Sequence, residues 1–309
     1  MPANTDPMEP KTSIILPARN EGQNLRRLLP ALCTQFRDCE IIVVNDGSTD
    51  DTAEVCASHP ITLISHPYSM GNGAAIKTGA RAATGKLLVF MDADGQHRVE
   101  DIPRLLEKLE EGYEMVVGAR HSDTQSSLAR RMANSIYNRL ASMMTGYKVE
   151  DLTSGFRAVR ARHFRKFLYL LPNGFSYPTT STMAFFRSGL PVAYIPIRAE
   201  KREGKSKISL FKDGLRFFII IIKVGSLFSP MRLFLPVSLL LFFLGLGYYS
   251  FTFITEHRFT NMSALLLTTA VLVFLIGILS EQVSALHYKG ADDDYRRTKR
   301  TPGGRENPE

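Results

Sequence analysis

"LLVFMDADGQH", Leu87 to His97, carries an apolar run into two aspartates one alanine apart, then a glycine, an amide and an imidazole. A run so rich in Leu, Val and Phe suits a strand covered on both faces, as parallel strands usually are. The carboxyl end of such a strand is where open α/β sheets place ligands. Asp92 and Asp94 would leave the same face of an extended chain and could share one hard cation through oxygen. The alternative is a polar turn that merely closes a strand.

Around this stretch the first two hundred residues alternate strand and helix patterns, as expected of a sheet with crossover helices. Ser13 to Leu16, Glu40 to Val44, Ile61 to Ile64, Lys86 to Met91 and Met115 to Gly118 read as strands, and "PVAYIPI", Pro191 to Ile197, as a later one. Leu25, Leu28, Leu29, Leu32 and Phe36 keep helical spacing, with Asn20 and Gln23 as capping residues and Pro30 predicting a kink or a late start. "PARNE" (Pro17 to Glu21), "NDGSTDD" (Asn45 to Asp51) and "DADGQH" follow three of the strands. In an open α/β sheet these acid-bearing loops would crowd one edge and form a pocket. Asp50 or Asp51 also suits the cap of a helix beginning near Thr52.

The C-terminal third has another character. Leu233 to Thr255 and Asn261 to Ser280 contain no charged residue, and only "EHRFT", Glu256 to Thr260, separates them. Each is long enough for a membrane span, and a short link makes them a hairpin with both flanks on one side. Arg232 before it, and Lys289, Arg296, Arg297, Lys299 and Arg300 after it, predict that this side is cytoplasmic. Residues 208–230 are greasy but interrupted by Lys212, Asp213, Arg216 and Lys223, which suits an interfacial helix with snorkelling bases. A third, partly inserted span is the other option. The expected organisation is a flexible stretch 1–12, a sheet domain 13–207, interfacial helices 208–230, two spans in 231–288 (about 233–255 and 261–286) and a disordered tail 289–309.

Composition narrows the partners. The net charge of +8 favours an anionic partner: nucleic acid, a lipid headgroup surface or a phosphate-bearing substrate. The basic residues gather beside the spans and no recognition motif accompanies them, which argues against nucleic acid. Three cysteines without a CxxC pair, and a polar, Pro-containing start, predict a reducing cytosolic setting and no signal peptide. "DGSTDD" fails as a calcium loop, with Asp51 where Gly is needed and Ala57 where Glu is needed. "GNGAAI" ends in Ile76 instead of the third glycine of a dinucleotide fingerprint, and "GKS" at Gly204 has Ala199 in place of the upstream glycine of a Walker loop. The histidines show no zinc-ligand spacing.

The order "PARNE", "VVNDGSTDDT", "GNGAAIKTGARAATG", "MDADGQH", "VVGAR", "DLTSGFRA" and "REGKSK" resembles family 2 glycosyltransferases of the GT-A fold. It is most similar to the dolichol-phosphate mannose synthase-like, polyprenyl-phosphate branch, whose bacterial members share the two-span tail. The resemblance implies a GT-A Rossmann-like mixed α/β sheet flanked by helices, then an interfacial helix and a transmembrane hairpin. It implies Mg²⁺ or Mn²⁺ held by Asp92, Asp94 and Gln96, and a nucleotide-sugar donor cradled by Pro17, Ala18, Glu21, Asp46, Lys77, Asp92, Ala93 and Asp94. Arg202 and Lys207 would close over that donor as a lid; a basic membrane tether is the other reading of "REGKSK". Arg120, Arg131 and Ser135 would hold the phosphate of a polyprenyl phosphate, with Asp94 catalytic beside them. Arg131 and Ser135, four apart, share a helical face. Asp151 would orient this site or cap a turn.

The activity implied is inverting transfer of a sugar, from a donor of the GDP-mannose or UDP-glucose class, to dolichyl or undecaprenyl phosphate. It would take place at the cytoplasmic face of the inner or plasma membrane, in a homo-oligomer for which a tetramer is one option. Asn45 before Asp46, and Ala18 and Arg19 before Asn20, depart from the family pattern and leave the base open. A processive polysaccharide synthase is disfavoured, because its acceptor motif needs a tryptophan and the chain has none. A non-catalytic membrane scaffold would be expected to have lost the metal ligands.

Overall fold

The computed structural model describes residues 11–120, 128–174, 176–198, 225–226 and 228–299, with side chains omitted at 128–134 and 287–299. Arg202, Lys207, most of the interfacial stretch 208–230, the Arg131 side chain, residues 1–10 and 300–309 therefore lie outside the described residues. The chain divides into two compact units, Met1–Ala141 with Tyr147–Ser206, and Ser142–Gly146 with Lys207–Glu309.

The first unit is built on a seven-stranded sheet: β1 (Thr12–Ala18), β2 (Glu40–Asn45), β3 (Thr62–Ser65), β4 (Leu87–Phe90), β5 (Met115–Arg120), β6 (Arg157–Arg160) and β7 (Val192–Ile197). Their order across the sheet is β3-β2-β1-β4-β6-β5-β7. Six expected strands are present, with ends shifted by a residue or two. The seventh, β6, lies inside the "DLTSGFRA" motif and was not read as a strand. It pairs antiparallel with β4, Phe90 opposite Arg157, and antiparallel with β5, Val117 opposite Arg157. Every other pairing is parallel.

The described residues of this part of the chain form seven α-helices: α1 (Gly22–Gln35), α2 (Thr52–Ala57), α3 (Asn72–Ala82), α4 (Ile102–Glu110), α5 (Leu128–Thr145), α6 (Ala161–Lys166) and α7 (Tyr177–Arg187). Alternation along the strands sends Ile14, Leu16, Val43 and Val89 to one face, against Leu25, Leu29 and Leu32 of α1 and Ile102, Leu105 and Leu109 of α4. On the other face Gly79 of α3 lies so close that an added Cβ would meet Ile15 Cγ2 at 2.4 Å. Phe90 turns to Phe164 of α6, with ring centroids 4.6 Å apart, and to Tyr177 of α7, 6.2 Å away.

Two local expectations are corrected. Helix α1 does not start late: it runs from Gly22 to Gln35 with Pro30 inside it. Pro30 sits on the exposed face, where water can serve the carbonyl it frees, and buried leucines on both sides hold the helix to the sheet. Asn20 makes no helix cap; it adopts a left-handed backbone, φ 57°, and bonds to the loop after β2.

In the second unit, α8 (Pro230–Glu256) and α9 (Asn261–Lys299) form the expected hairpin. Both are long and apolar enough to cross a membrane: Pro230–Glu256, and Asn261–Leu286 within α9. The turn is made by His257 in a left-handed C-cap, φ 52°, and by Thr260, whose Oγ1 accepts the amide of Ser263 at 3.3 Å. The backbone of α9 continues as helix to Lys299, into the stretch read as a disordered tail. Acids at 292–293 followed four residues later by arginines give that stretch a spacing helices favour.

The seam between these helices follows a seven-residue period of small side chains. Ser238, Gly245 and Thr252 are buried on α8, and Ser263, Ala270, Gly277 and Ser284 on α9. Apolar helices gain nothing by hiding from lipid, so close packing through small residues must hold them, and a strict seven-residue period favours a left-handed crossing. An added Cβ at Gly277 would meet Phe234 Cβ at 2.9 Å, and one at Gly245 would meet Leu266 Cβ at 3.0 Å. The amide of Met231 donates to Glu281 at 3.3 Å, and Arg232 donates to the carbonyls of Met143 and Met144 at 2.7 and 2.8 Å. These bonds serve backbone groups left over at helix ends.

Gly277→Leu should therefore lower the thermal midpoint of the full-length protein in detergent, by overpacking that costs ~1–3 kcal/mol. Leu275→Ala, at an exposed position of the same helix, should leave the midpoint nearly unchanged.

Candidate active site

At the carboxyl edge of β1 and β2 the turn before α1 and the loop before α2 are stitched together. The Asn20 amide donates to Ser48 Oγ at 2.9 Å, and Asn20 Oδ1 accepts the Thr49 amide at 2.8 Å. Glu21 and Gly22 amides donate to Thr52 Oγ1 and Asp50 Oδ2, at 3.0 and 3.1 Å. Asp50, and not Asp51, takes the Thr52 amide at the start of α2; Asp51 pairs instead with Arg26. Ala18 is buried and its carbonyl accepts the Asp46 amide at 2.8 Å, while Pro17 and Glu21 remain partly exposed beside it.

Two residues expected to face a nucleotide are engaged by the protein itself. Asp46 is buried, and its carboxylate accepts His66 Nδ1 (2.7 Å), Ser69 Oγ (2.8 Å) and the amides of Met70 (2.8 Å) and Gly71 (2.9 Å). Burial alone would raise its pKa, but these bonds outweigh it and hold the carboxyl below the usual range. Asp46 is thus a brace for the loop from β3 to α3. Lys77 donates to the Leu171 carbonyl at 3.1 Å and to Asn173 Oδ1. The same loop's carbonyls at Asn173 and Gly174 accept the Ala74 and Gly73 amides. The first turn of α3 is therefore closed by protein, and a Cβ at Gly73 would overlap the Pro172 carbonyl at 2.0 Å.

The two acids lie just past β4, which ends at Phe90, so they belong to a turn rather than to an extended strand. Asp94 Oδ1 accepts the Gln96 amide at 3.1 Å, and Gly95 supplies the positive φ of 74° that this turn requires. Ala93 is buried between them. Asp92 rests against Gly155, where an added Cβ would come within 2.6 Å of its Oδ2. The buried His97 stacks on Phe156, centroids 4.9 Å apart, with Nε2 3.7 Å from Asp92 Oδ2. Burial would raise the Asp92 pKa, but His97, then Arg120 and Arg157, outweigh it and hold the carboxylate ionised.

Arg120 ends β5 and is held by Asp151: Nε donates to Oδ2 at 2.8 Å, Nη2 to Oδ1 at 3.0 Å, and the backbone amide to Oδ2 at 3.2 Å. Nη2 also donates to Thr153 Oγ1 at 2.7 Å, whereas Nη1 has no hydrogen-bond partner among the described residues. Asp151 is buried; the charge and bonds of Arg120 outweigh that burial and hold its carboxyl below the usual range. It both orients Arg120 and closes the Thr153 turn, accepting that amide at 3.1 Å. Ser135 is exposed on α5, in the helix that also carries Arg131.

Asp92 and Asp94 with Gln96 present only oxygen donors, which suits Mg²⁺ or Mn²⁺ and not a thiophilic ion. Among the described residues no group of three or more His, Cys, Asp or Glu could hold a metal alone. A cation here would need further oxygens from its ligand, as Mg²⁺ commonly takes them from phosphates. The acids and Arg120 stand out in the sequence, whereas Gly155, His97 and the Asp46 brace do not. Spacing alone marks none of these, because each acts through a partner distant in the chain.

The family model of glycosyl transferase family 2 matches residues 13–168, just over half the chain, and that of the GtrB C-terminal hairpin matches 229–286. Similar proteins include the undecaprenyl-phosphate 4-deoxy-4-formamido-L-arabinose transferase of Klebsiella pneumoniae, 32% identical over 219 residues, which cover 67% of this chain and 65% of that one. The protein of the same name from Photorhabdus laumondii is 33% identical over 212 residues, covering 65% and 64% of the two chains. The chain thus spans a little under two thirds of the length of these relatives. Among solved structures, glucosyl-3-phosphoglycerate synthase of Mycobacterium tuberculosis with Mn²⁺, UDP and glucosyl-3-phosphoglycerate superposes with a TM-score of 0.57. It is 21% identical, over 70% of this chain and 79% of that one, which shows a shared fold.

The Asp46 brace has a signed pH dependence. A carboxyl whose pKa falls on folding stabilises the fold fully above its unfolded value, about 4, and loses that contribution as pH drops through the folded value. Asp46→Asn should cost ~2 kcal/mol near pH 7, read as a lower thermal midpoint. The gap from wild type should close as pH falls below about 4.

Proposed function

The chain belongs to glycosyl transferase family 2, and from that membership we propose a membrane-bound inverting transferase that moves a sugar from a nucleotide-sugar to a polyprenyl phosphate. One observation carries the reading: Asp92 and Asp94 after β4, Arg120 at the end of β5 and the Asp151 loop before β6 converge on one sheet edge, in a chain that also carries a hairpin fit to span a membrane. The names of the relatives point to undecaprenyl phosphate as an acceptor of this class. The donor, of the GDP-mannose or UDP-glucose class, would lie along the stitched loops of Pro17 to Glu21 and Asn45 to Asp51. Asp46 and Lys77 would shape that cradle from behind.

A Mg²⁺ or Mn²⁺ held by Asp92, Asp94 and Gln96 would neutralise the donor diphosphate as it departs. The remaining work falls to positioning. A lipid phosphate is already an anionic nucleophile at neutral pH, so attack at the anomeric carbon needs alignment and charge neutralisation more than a general base. One phosphate oxygen forms the new bond to that carbon, the bond to the diphosphate breaks on the opposite face, and the nucleoside diphosphate leaves with the electron pair. Arg120, oriented by Asp151 through Nε and Nη2, would offer Nη1 to the acceptor phosphate, and Arg131 and Ser135 would share in holding it. Arg202 and Lys207 complete the proposal as a lid over the donor. The short link between the spans carries Arg258, whereas Arg232 and a run of bases from Lys289 flank the other ends. That asymmetry supports a cytoplasmic catalytic unit.

Membranes containing the chain, given polyprenyl phosphate and a panel of labelled GDP- and UDP-sugars, should yield label in the lipid extract with one donor. Asp94→Asn should cut that yield more than ~100-fold with the thermal midpoint unchanged, because even outer partners of a metal are worth ~10–100-fold. Undiminished transfer by Asp94→Asn, or in EDTA, would remove the metal from the account.

A further inference from the structure

Arg157 is the largest fully buried side chain among the described residues and lies on β6, opposite Phe90 of β4 and Val117 of β5. Among the described residues no carboxylate pairs with it. Its Nη1 donates to the Pro178 carbonyl (3.0 Å), Ser181 Oγ (2.8 Å) and Thr182 Oγ1 (3.1 Å), all on α7. Its Nη2 donates to the Ser154 carbonyl, and Nε has no partner among the described residues. The guanidinium also lies 5.7 Å from the ring centre of Tyr177. A buried cation whose contacts are all neutral is expensive, and a core of this size could have been filled by an apolar side chain. Its retention calls for a task.

The geometry shows what Arg157 and its neighbour hold. Tyr177, wholly buried at the start of α7, donates its hydroxyl to the Gly155 carbonyl at 2.9 Å. Two consecutive carbonyls, Ser154 and Gly155, are thus gripped by Arg157 and Tyr177. Gly155 is also the residue against which Asp92 rests, with no room for a Cβ between them. A rotation of this peptide, or a shift of a few tenths of an ångström, would move the carboxylate with it. The residual positive charge of Arg157 meanwhile acts on Asp92 through a poorly screened interior.

We propose that Arg157 and Tyr177 are positioning residues for the Asp92 carboxylate: by pinning the Ser154 and Gly155 carbonyls they fix the seat of that carboxylate and thereby set the affinity for the divalent cation. The inference rests on the reading of Asp92 as a metal ligand. Neither side chain is placed to touch donor or acceptor, since both are buried among α7 and the central strands.

The test is Mn²⁺ binding by the full-length protein in detergent, read by electron paramagnetic resonance with UDP or GDP present. Tyr177→Phe keeps the ring that packs on Phe90 and deletes only the bond to Gly155. Mn²⁺ affinity should fall ~10-fold, and transferase activity should return toward wild type when Mn²⁺ is raised. Tyr194→Phe is the control, because the buried Tyr194 hydroxyl has no partner among the described residues; its Mn²⁺ affinity should match wild type. Arg157→Lys, which keeps the charge and loses the fork, should weaken Mn²⁺ binding as well. If Tyr177→Phe binds Mn²⁺ as wild type does, the positioning role is overturned while the metal site stands. If wild type itself binds no Mn²⁺, the metal reading falls and the inference with it.

Discussion

One strand runs against the rest of the sheet, and the site exists because it does. With β6 reversed between β4 and β5, its entry lies at the edge where its neighbours exit. The register that sets Phe90 opposite Arg157 carries Asp92 to Gly155 two residues further on. On the other side the Gly118 amide meets the Phe156 carbonyl at 2.9 Å, and Arg120 reaches Asp151. A parallel strand here would deliver the "DLTSG" segment to the opposite edge, leaving Arg120 without its carboxylate and Asp92 without its seat.

The charges gathered there leave a single acid in excess before any ligand arrives. Asp92, Asp94 and Asp151 face Arg120 and Arg157, and the influence runs both ways: the bases hold Asp92 and Asp151 ionised, and Asp151, Asp92 and Asp94 keep Arg120 protonated. A divalent cation more than offsets that excess and brings uncompensated positive charge in a poorly screened place. A diphosphate arriving with it restores the balance and supplies the oxygens that two acids and an amide cannot. On this account the cation and the nucleotide favour one another, and neither is well held alone.

Much of this could be read in the sequence, for identifiable reasons. Parallel strands covered on both faces are long apolar runs, and long runs without charge stand out, so six strands and both helices fit to cross a membrane are visible in the sequence. β6 is not: Arg157 to Arg160 is four residues bounded by arginines, and its partners are remote in the chain. Pro30 suggested a late start because propensity is local, whereas α1 is held from Gly22 onward by leucines packed on the sheet. The paired acids and Arg120 stood out because their side chains are themselves the chemistry. Nothing local reveals that His66 and Ser69 bond to Asp46, or Asn173 to Lys77, the two residues expected at the donor. The small-residue period of the hairpin was present in the sequence but is eclipsed there by the surrounding leucines and phenylalanines.

Two carboxylates on an edge that two arginines nearly neutralise should hold a cation well only together with a diphosphate. The most direct test is Mn²⁺ affinity of the full-length protein measured with and without a saturating nucleoside diphosphate, UDP and GDP in turn, after correction for Mn²⁺ bound by free nucleotide. The account predicts weak binding alone and a gain of at least ~10-fold with one of the two, equivalent to ~1.4 kcal/mol of coupling. Equal affinity in the presence and absence of both nucleotides would contradict it.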